Sequence, residues 1–401
     1  MTLASGREVA LIPGPSILPD RVLNAMHRAA IDIYSGPMLD VTADCMTGLR
    51  KVFGTQHDTY IFAANGHGAW EASLTNTFSH GEKLLVLESG RFATLWGEMG
   101  EALGLEVEVL PCDWQGAVEP QKVEDRLRRD SEGTIAAVLV AQVDTASGVV
   151  NDIPAIRRAI DAAGHDALYM VDVVASLATM PFEFDEWGVD VAVGGAQKGL
   201  MGPAGLSFNA VSKRGKEKHH SAGLRTPYWD WTARDGKIHY QKYCGTPPEQ
   251  MLFGLQEAFA MIFEEGLPAM FARHSAVADA TRAAIETWQE AGAQFNIDRP
   301  ECRFNSVSVF RFRDNTALRI REFCEQHCGV TLGGGLGRYE DETIRIGHMG
   351  HVNAHTILGC LGAIDVAITS MGLPSSQTGV GAATRVLGEH THSRLPETMT
   401  A

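Results

Sequence analysis

Lys198 stands in the run Val191-Ala192-Val193-Gly194-Gly195-Ala196-Gln197-Lys198-Gly199-Leu200-Met201-Gly202-Pro203, which continues the alternating apolar positions Val189, Val191 and Val193. Such alternation reads as a short buried strand, and the glycines beyond it let backbone approach a ligand closely. A lysine held among apolar neighbours loses its proton more readily than one in water and then acts as a nucleophile. Asp172 ends a second apolar run, Leu168-Tyr169-Met170-Val171-Asp172, 26 positions before Lys198. A carboxylate at the end of a buried strand is costly without a positive partner, so the two side chains are expected to end neighbouring strands and face one crevice. A third element is Asn65-Gly66-His67-Gly68, directly after the β-like run Tyr60–Ala64. A glycine turn that opens a helix presents free N–H groups at the positive end of the helix dipole, which makes an anion site.

Those residues need a scaffold, and the surrounding pattern supplies one. Lys83–Leu87, Glu106–Pro111, Ala136–Ala141 and Leu168–Val173 read as strands, with Phe92–Leu103, Pro120–Arg129 and Pro154–Ala163 as helices between them. The expected fold class is α/β, a mostly parallel sheet sandwiched by helices in a large domain, followed by a smaller α+β C-terminal domain. Ligands in such sheets sit beyond the carboxyl ends of the strands, where Asn65–His67, Ser89–Phe92, Gln142–Ser147, Asp172 and Gln197–Lys198 all fall. Residues 1–19 form an arm bent at Pro13-Gly14-Pro15, residues 20–265 the large domain and residues 266–373 the small one. The domain crossing is read at Gly266-Leu267-Pro268. The small domain carries a strand at Ser306–Phe312, a helix at Thr316–His327, a glycine turn at Gly333–Gly337, a strand at Thr343–Ile346 and a closing helix from Ala354 to Met371. Residues 374–401 turn small and polar and are expected to form a mobile tail.

Composition narrows the function classes. The 401 residues are 45% hydrophobic and 21% charged, as in an ordinary soluble globular protein. A net charge of −15 without any Lys/Arg block argues against nucleic acid and anionic membranes as partners. No apolar run reaches the roughly 20 residues that span a bilayer, and the first residues lack a signal-peptide core. Seven cysteines with no CxxC pair suggest a reducing, cytoplasmic location. Cys324, His327 and Cys328 have no second ligand pair, so they read as a helix with buried thiols, and no metal is expected.

A lysine, a carboxylate and an anion cradle are what pyridoxal 5′-phosphate chemistry requires. The lysine holds the cofactor as a Schiff base, the carboxylate keeps the pyridine nitrogen protonated, and N–H groups bind the phosphate. From about Leu11 to Gly372 the chain resembles the class V, fold-type I aminotransferases, and more closely the alanine–glyoxylate and serine–glyoxylate group. The resemblance rests on Pro13-Gly14-Pro15, Gly66-His67-Gly68, Val171-Asp172-Val173-Val174-Ala175-Ser176, Gly195-Ala196-Gln197-Lys198, Gly334-Gly335-Leu336-Gly337 and Ile344-Arg345-Ile346-Gly347. It implies Lys198 as the catalytic lysine and Asp172 as the pyridinium partner. Asn65, Gly66, His67 and Gln197 then match phosphate-side positions, with His67 also placed to stack on the ring. Thr145 matches the hydroxyl that meets the phenolic oxygen. Phe92 takes the place of a stacking aromatic that is Trp in some relatives. Tyr243 and Thr246 match a pair that reaches the phosphate in the neighbouring subunit, which implies a homodimer with shared active sites.

Arg345 resembles the arginine that binds the substrate α-carboxylate, a role suited to its planar fork. Gly36, in a segment unlike that of serine–glyoxylate members, and Arg225 are candidate substrate contacts near the mouth. The implied reaction moves an amino group from a small amino acid (serine, alanine or aspartate) to glyoxylate, giving glycine and a 2-keto acid. An acidic donor would need a second cation, for which Arg225, Arg338 and His348 are candidates. The alternative is a lyase or desulfurase of the same fold. That reading needs a cysteine on the loop before Arg345, and Gly333–Glu342 contains none.

Overall fold

A computed structural model describes residues 3–392. In chain order its elements are β1 (Val9–Leu11), α1 (Asp20–Met26), α2 (Pro37–Phe53), β2 (Asp58–Phe62), α3 (Gly66–Thr75), β3 (Lys83–Leu87), α4 (Arg91–Ala102), β4 (Glu106–Leu110), α5 (Pro120–Arg129), β5 (Ile135–Ala141), β6 (Val143–Asp144), β7 (Val149–Val150), α6 (Ile153–Ala163), β8 (Leu168–Asp172), β9 (Val191–Gly195) and β10 (Ser207–Val211). They continue with α7 (Lys213–His219), α8 (Trp231–Arg234), α9 (Glu249–Glu265), α10 (Leu267–Thr287), β11 (Gln294–Phe295), β12 (Val307–Arg311), α11 (Thr316–Cys328), β13 (Val330–Leu332), β14 (Thr343–Gly347), α12 (Ala354–Ser370) and α13 (Gly379–His392).

The central sheet has the order β2-β10-β9-β8-β5-β3-β4, and only β10 runs against the rest. Strand alternation sorts the side chains onto two faces. Val138, Val140, Tyr169, Val171 and Ala192 pack with α2, α5, α6 and α9. Ala137, Leu139, Leu168, Met170, Val191 and Val193 face α3, α4 and Trp231. Both faces are therefore covered, as a mainly parallel sheet requires. β10 was not anticipated; its Ser-Phe-Asn-Ala-Val sequence is short and buried throughout, its polar Ser207 and Asn209 included.

The second core gathers α10, α11, α12 and α13 on the antiparallel strands β11-β12-β14. The N-terminal arm is tied to the second core, where β1 pairs in parallel with β13 and Leu11 is buried. One expectation needs correction here. Residues 379–392 of the supposed mobile tail form a helix; residues 393–401 lie outside the described residues. Ala383, Val380, Val386 and Leu387 pack on the second core, while Asp365 accepts the N–H groups of Gly379 and Val380 at 2.8 and 2.9 Å. These apolar residues are spaced for one helix face, and helical spacing decides the outcome against the small, polar average composition. The crossing between domains is carried by α10, whose Met270 belongs to the first core and whose Val277 belongs to the second.

Candidate active site

The six strands that run together end on one edge, so their following loops converge. Asp172 closes β8 and pairs across to Val193 of β9, three residues before the Ala196–Pro203 turn that holds Lys198. The expectation of neighbouring strand ends facing one crevice describes this arrangement. A cavity of about 320 Å³ lies there, lined by Lys198, Asp172, Asn65, His67, Phe92 and Thr145 among others. Gly66 and Gln197 also line it.

Lys198 donates its ammonium to the carbonyl of Pro13. Burial, and next the charge of Arg345, bring its pKa down to about 8 against the pull of Asp172. Free base is therefore within reach near neutral pH, as a nucleophile and proton carrier needs. The arm's bend closes over this loop. Ser16 donates its N–H to the Gln197 carbonyl and its hydroxyl to the Lys198 carbonyl, both at 2.8 Å. Gly14 sits at φ +100°, and a Cβ there would collide with the Lys198 side chain. Glycine is thus required at this position by both backbone and space.

Asp172 is buried, and desolvation pushes its pKa up to about 7 despite the N–H of Val174 at 2.7 Å and the indole N–H of Trp70 at 3.0 Å. A carboxylate poised in this way becomes fully ionised when a cation is brought beside it. Trp70 has no role in the sequence reading. Its signal is position: it follows His67 by three residues on α3, so the two share a face, and their rings meet edge to face at 4.5 Å. Trp96 stacks on its other side at 6.1 Å.

Asn65 caps α3, its side chain accepting the Gly68 N–H at 3.3 Å. The helix thereby turns its first N–H groups toward the cavity, and a Cβ on Gly66 would press on Val174 at 3.2 Å. Gln197 supplies the most direct sign that a further polar group belongs here, because its Oε1, an acceptor, is buried with no donor among the described residues. Phe92 forms part of the cavity wall and meets Trp70 edge-on at 6.4 Å.

A second unpredicted residue, Asp144, sets that wall. Its buried carboxylate accepts the N–H groups of Phe92 (2.8 Å), Ala93 (3.0 Å) and Ala146 (2.9 Å). Burial raises its pKa to about 6, and those three N–H groups oppose the rise. A polar residue just after a buried strand, next to the matched Thr145, was the available signal.

Arg345, on β14, lies behind Thr145. Its guanidinium donates to the carbonyls of Thr145 (3.1 Å) and Gly334; among the described residues no carboxylate hydrogen-bonds to it, and the charge of Asp144 acts on it without direct contact. Burial lowers its pKa to about 10, which leaves it fully charged at neutral pH. The structure does not bring the remaining candidates to this cavity within one chain. Tyr243 is buried and shares a hydrogen bond of 2.8 Å with Thr42, whereas Thr246 is exposed. Gly36 is the exposed cap of α2, and the exposed Arg225 donates to the Ala222 carbonyl at 3.1 Å.

The fold and this constellation define a lysine-dependent carbonyl-cofactor enzyme, and comparison with known proteins places it in a family. Residues 13–338 match the aminotransferase class-V family, and the chain belongs to it. It is a transaminase whose cofactor is pyridoxal 5′-phosphate. The chain is similar to the serine–glyoxylate aminotransferase of Methylorubrum extorquens, 36% identical over 97% of this chain and 98% of that one. An L-aspartate–glyoxylate aminotransferase of Paracoccus denitrificans is 35% identical over 93% of each. Among solved structures, ureidoglycine–glyoxylate aminotransferase from Bacillus subtilis shares the fold, with a TM-score of 0.86 at 24% identity over 96% of this chain and 99% of that one.

Proposed function

We propose that this transaminase moves the amino group of a small neutral amino acid, serine or alanine, to glyoxylate, yielding glycine and the donor's 2-keto acid. The observation that carries the choice is Arg345, a buried guanidinium with no carboxylate hydrogen-bonded to it among the described residues. One fork binds the carboxylate of either substrate. A dicarboxylate donor needs a second cation, and within one chain none of the candidates is free at the cavity. Arg338 pairs with Glu88 at 3.1 Å. His348 is buried and kept neutral, its pKa pulled down to about 3 by burial. Arg225 is exposed, away from the cavity lining. The glyoxylate acceptor draws on the relatives named above.

Bound pyridoxal phosphate would supply an electron sink for the carbanion at Cα. The protein's residues do the rest. Arg345 orients the donor by its carboxylate. Lys198, as free amine, would take the proton from Cα and deliver it to the cofactor's C4′. Asp172 would hold a proton at the ring nitrogen, and Gln197 with the α3 N–H groups would hold the phosphate. Thr145 would hold the phenolic oxygen, and Phe92 would cover one face of the ring. No cysteine lines the cavity, and Cys328 ends α11 outside it, so a desulfurase reading lacks its nucleophile.

Two copies sharing sites are part of the same proposal. Tyr34 (67% exposed) meets Tyr240 edge to face at 6.3 Å, and these two with the exposed Ile238 (52%) and Tyr228 are apolar groups that a second copy would bury. Tyr243 and Thr246 would serve from that copy. Seven free thiols support a reducing, cytoplasmic setting. No helix among the described residues is long and apolar enough to cross a membrane.

The test mixes cofactor-loaded protein with single amino acids and follows the cofactor's absorbance, then adds glyoxylate. Serine and alanine should bleach the band, and glyoxylate should restore it. Faster bleaching by aspartate overturns the donor assignment, and failure of glyoxylate to restore the band overturns the acceptor.

A further inference from the structure

Glu88 directly follows β3 and takes no part in the chemistry above. It is 8% exposed, and its Oε1 accepts both the indole N–H of Trp114 (2.9 Å) and the guanidinium of Arg338 (3.1 Å). The Arg338 guanidinium also lies over the Trp114 ring, 4.8 Å from its centroid. Glu88 and Trp114 belong to the large domain and Arg338 to the small one. Asn296 adds a further bridge, donating its side-chain amide to the Trp114 carbonyl at 2.9 Å. Trp114 itself sits at φ +65°, a left-handed conformation that strains a bulky residue and persists only where surroundings enforce it.

From Arg338 the linkage runs inward. The Gly335 N–H closes the loop on the Glu340 carbonyl at 3.1 Å. Gly333 and Arg345 exchange backbone hydrogen bonds at 2.9 and 2.8 Å, and the Gly334 carbonyl accepts from the Arg345 side chain. The fork of Arg345 is thus held by one carbonyl of each domain, Thr145 and Gly334. Its position relative to Lys198 depends on how the loop 333–342 is registered on the large domain.

We propose that Glu88 and Arg338, joined through Trp114, are positioning residues that fix this loop to the large domain and so set Arg345 for the donor carboxylate. The inference rests on the reading of Arg345 as the carboxylate site. A half-exposed ion pair alone would contribute little. Here the acceptor is buried, the ring supplies a second contact, and all three groups meet at one point, which makes the cluster cooperative.

The experiment uses cofactor-loaded Glu88→Gln, Arg338→Gln and the double variant, with Arg345→Lys as control. Measured are donor KM, kcat, the Kd of acetate as an unreactive monocarboxylate, and hydrogen exchange across 333–342. Each single variant should raise donor KM and acetate Kd about fivefold to tenfold, keep kcat within about twofold, and speed exchange in the loop. The double variant should be no worse than either single, because one contact is removed twice. Unchanged KM and acetate Kd in both single variants, with only a lower Tm, overturn the proposal, as do effects that multiply. Improved aspartate turnover in Glu88→Gln at unchanged serine KM also overturns it, because Arg338 would then be a second substrate cation. If Arg345→Lys leaves acetate binding intact, the carboxylate site itself is misassigned; a loss there alone faults only the positioning role. Should Arg338→Gln fail to fold, Trp114→Phe, which keeps the ring and drops the N–H, provides the same readouts.

Discussion

Replacing Trp70 by Phe keeps an aromatic ring between His67, Phe92 and Trp96 and removes one hydrogen-bond donor to Asp172. A buried hydrogen bond to a charged group is worth about 1.5–3 kcal/mol, which at about 1.4 kcal/mol per pKa unit is a rise of about 1–2 units. Asp172 already stands at about 7, so the variant should titrate near or above pH 8. At pH 7.5 its ionised fraction in the apoprotein then falls from about three-quarters to between about a quarter and about a thirtieth. The carboxylate must be charged to pair with a protonated ring nitrogen, so cofactor affinity at that pH should drop between about threefold and about twenty-fivefold and recover toward pH 9. Carbon-13 NMR of the labelled Asp172 carboxyl and a cofactor titration at both pH values measure the two quantities separately. An unmoved Asp172 titration, or an affinity loss equal at pH 7.5 and pH 9, would refute the reasoning and leave Trp70 as packing alone.

Two further perturbations follow from the same geometry. Gly14→Ala places a methyl group on Lys198 at a φ that L-residues avoid, and should lower kcat by at least about a hundredfold while the large-domain core, read by far-UV circular dichroism, is retained. Near-normal kcat in that variant would mean that the arm yields. His348 is buried with its pKa lowered to about 3, so its stabilising contribution is complete above pH 6.5 and is lost as the pH falls toward 3. Asp172 and Asp144 have raised pKa values and act with the opposite sign, losing stability as the pH rises toward 6–7. The difference in unfolding free energy between the parent and His348→Asn isolates the histidine and should shrink as the pH falls from 6.5 to 4.5. A pH-independent difference excludes it as the source of acid sensitivity.

The strands were legible where both faces are apolar and a helix follows, which is why β3, β5 and β8 stand close to their expected bounds. Lys198, Asp172 and the α3 turn were legible because each follows such a strand. Trp70 and Asp144 were not, because their roles come from where their polar atoms point, a property of side-chain packing that residue type does not record. Helix α13 was hidden for a related reason. Its apolar residues are few and separated, and only against α10 and α12 do they make a face. Tyr243 is buried against Thr42, Thr246, Gly36 and Arg225 are exposed, and none of the four lines the cavity of the single chain.

The pairing of β1 with β13 joins residues 9–11 to residues 330–332, near opposite ends of the chain. A ribosome must therefore deliver more than three-quarters of the protein before the first strand finds its partner. Until then residues 9–11 have no strand partner, and only the contacts of Pro13 and Ser16 with the Lys198 turn hold the arm. The large sheet can collapse early around its own local crossovers, whereas the arm is anchored on its far side late, through contacts of very high sequence separation. A nascent or truncated chain would thus expose a structured sheet long before the arm was secured over its nucleophile.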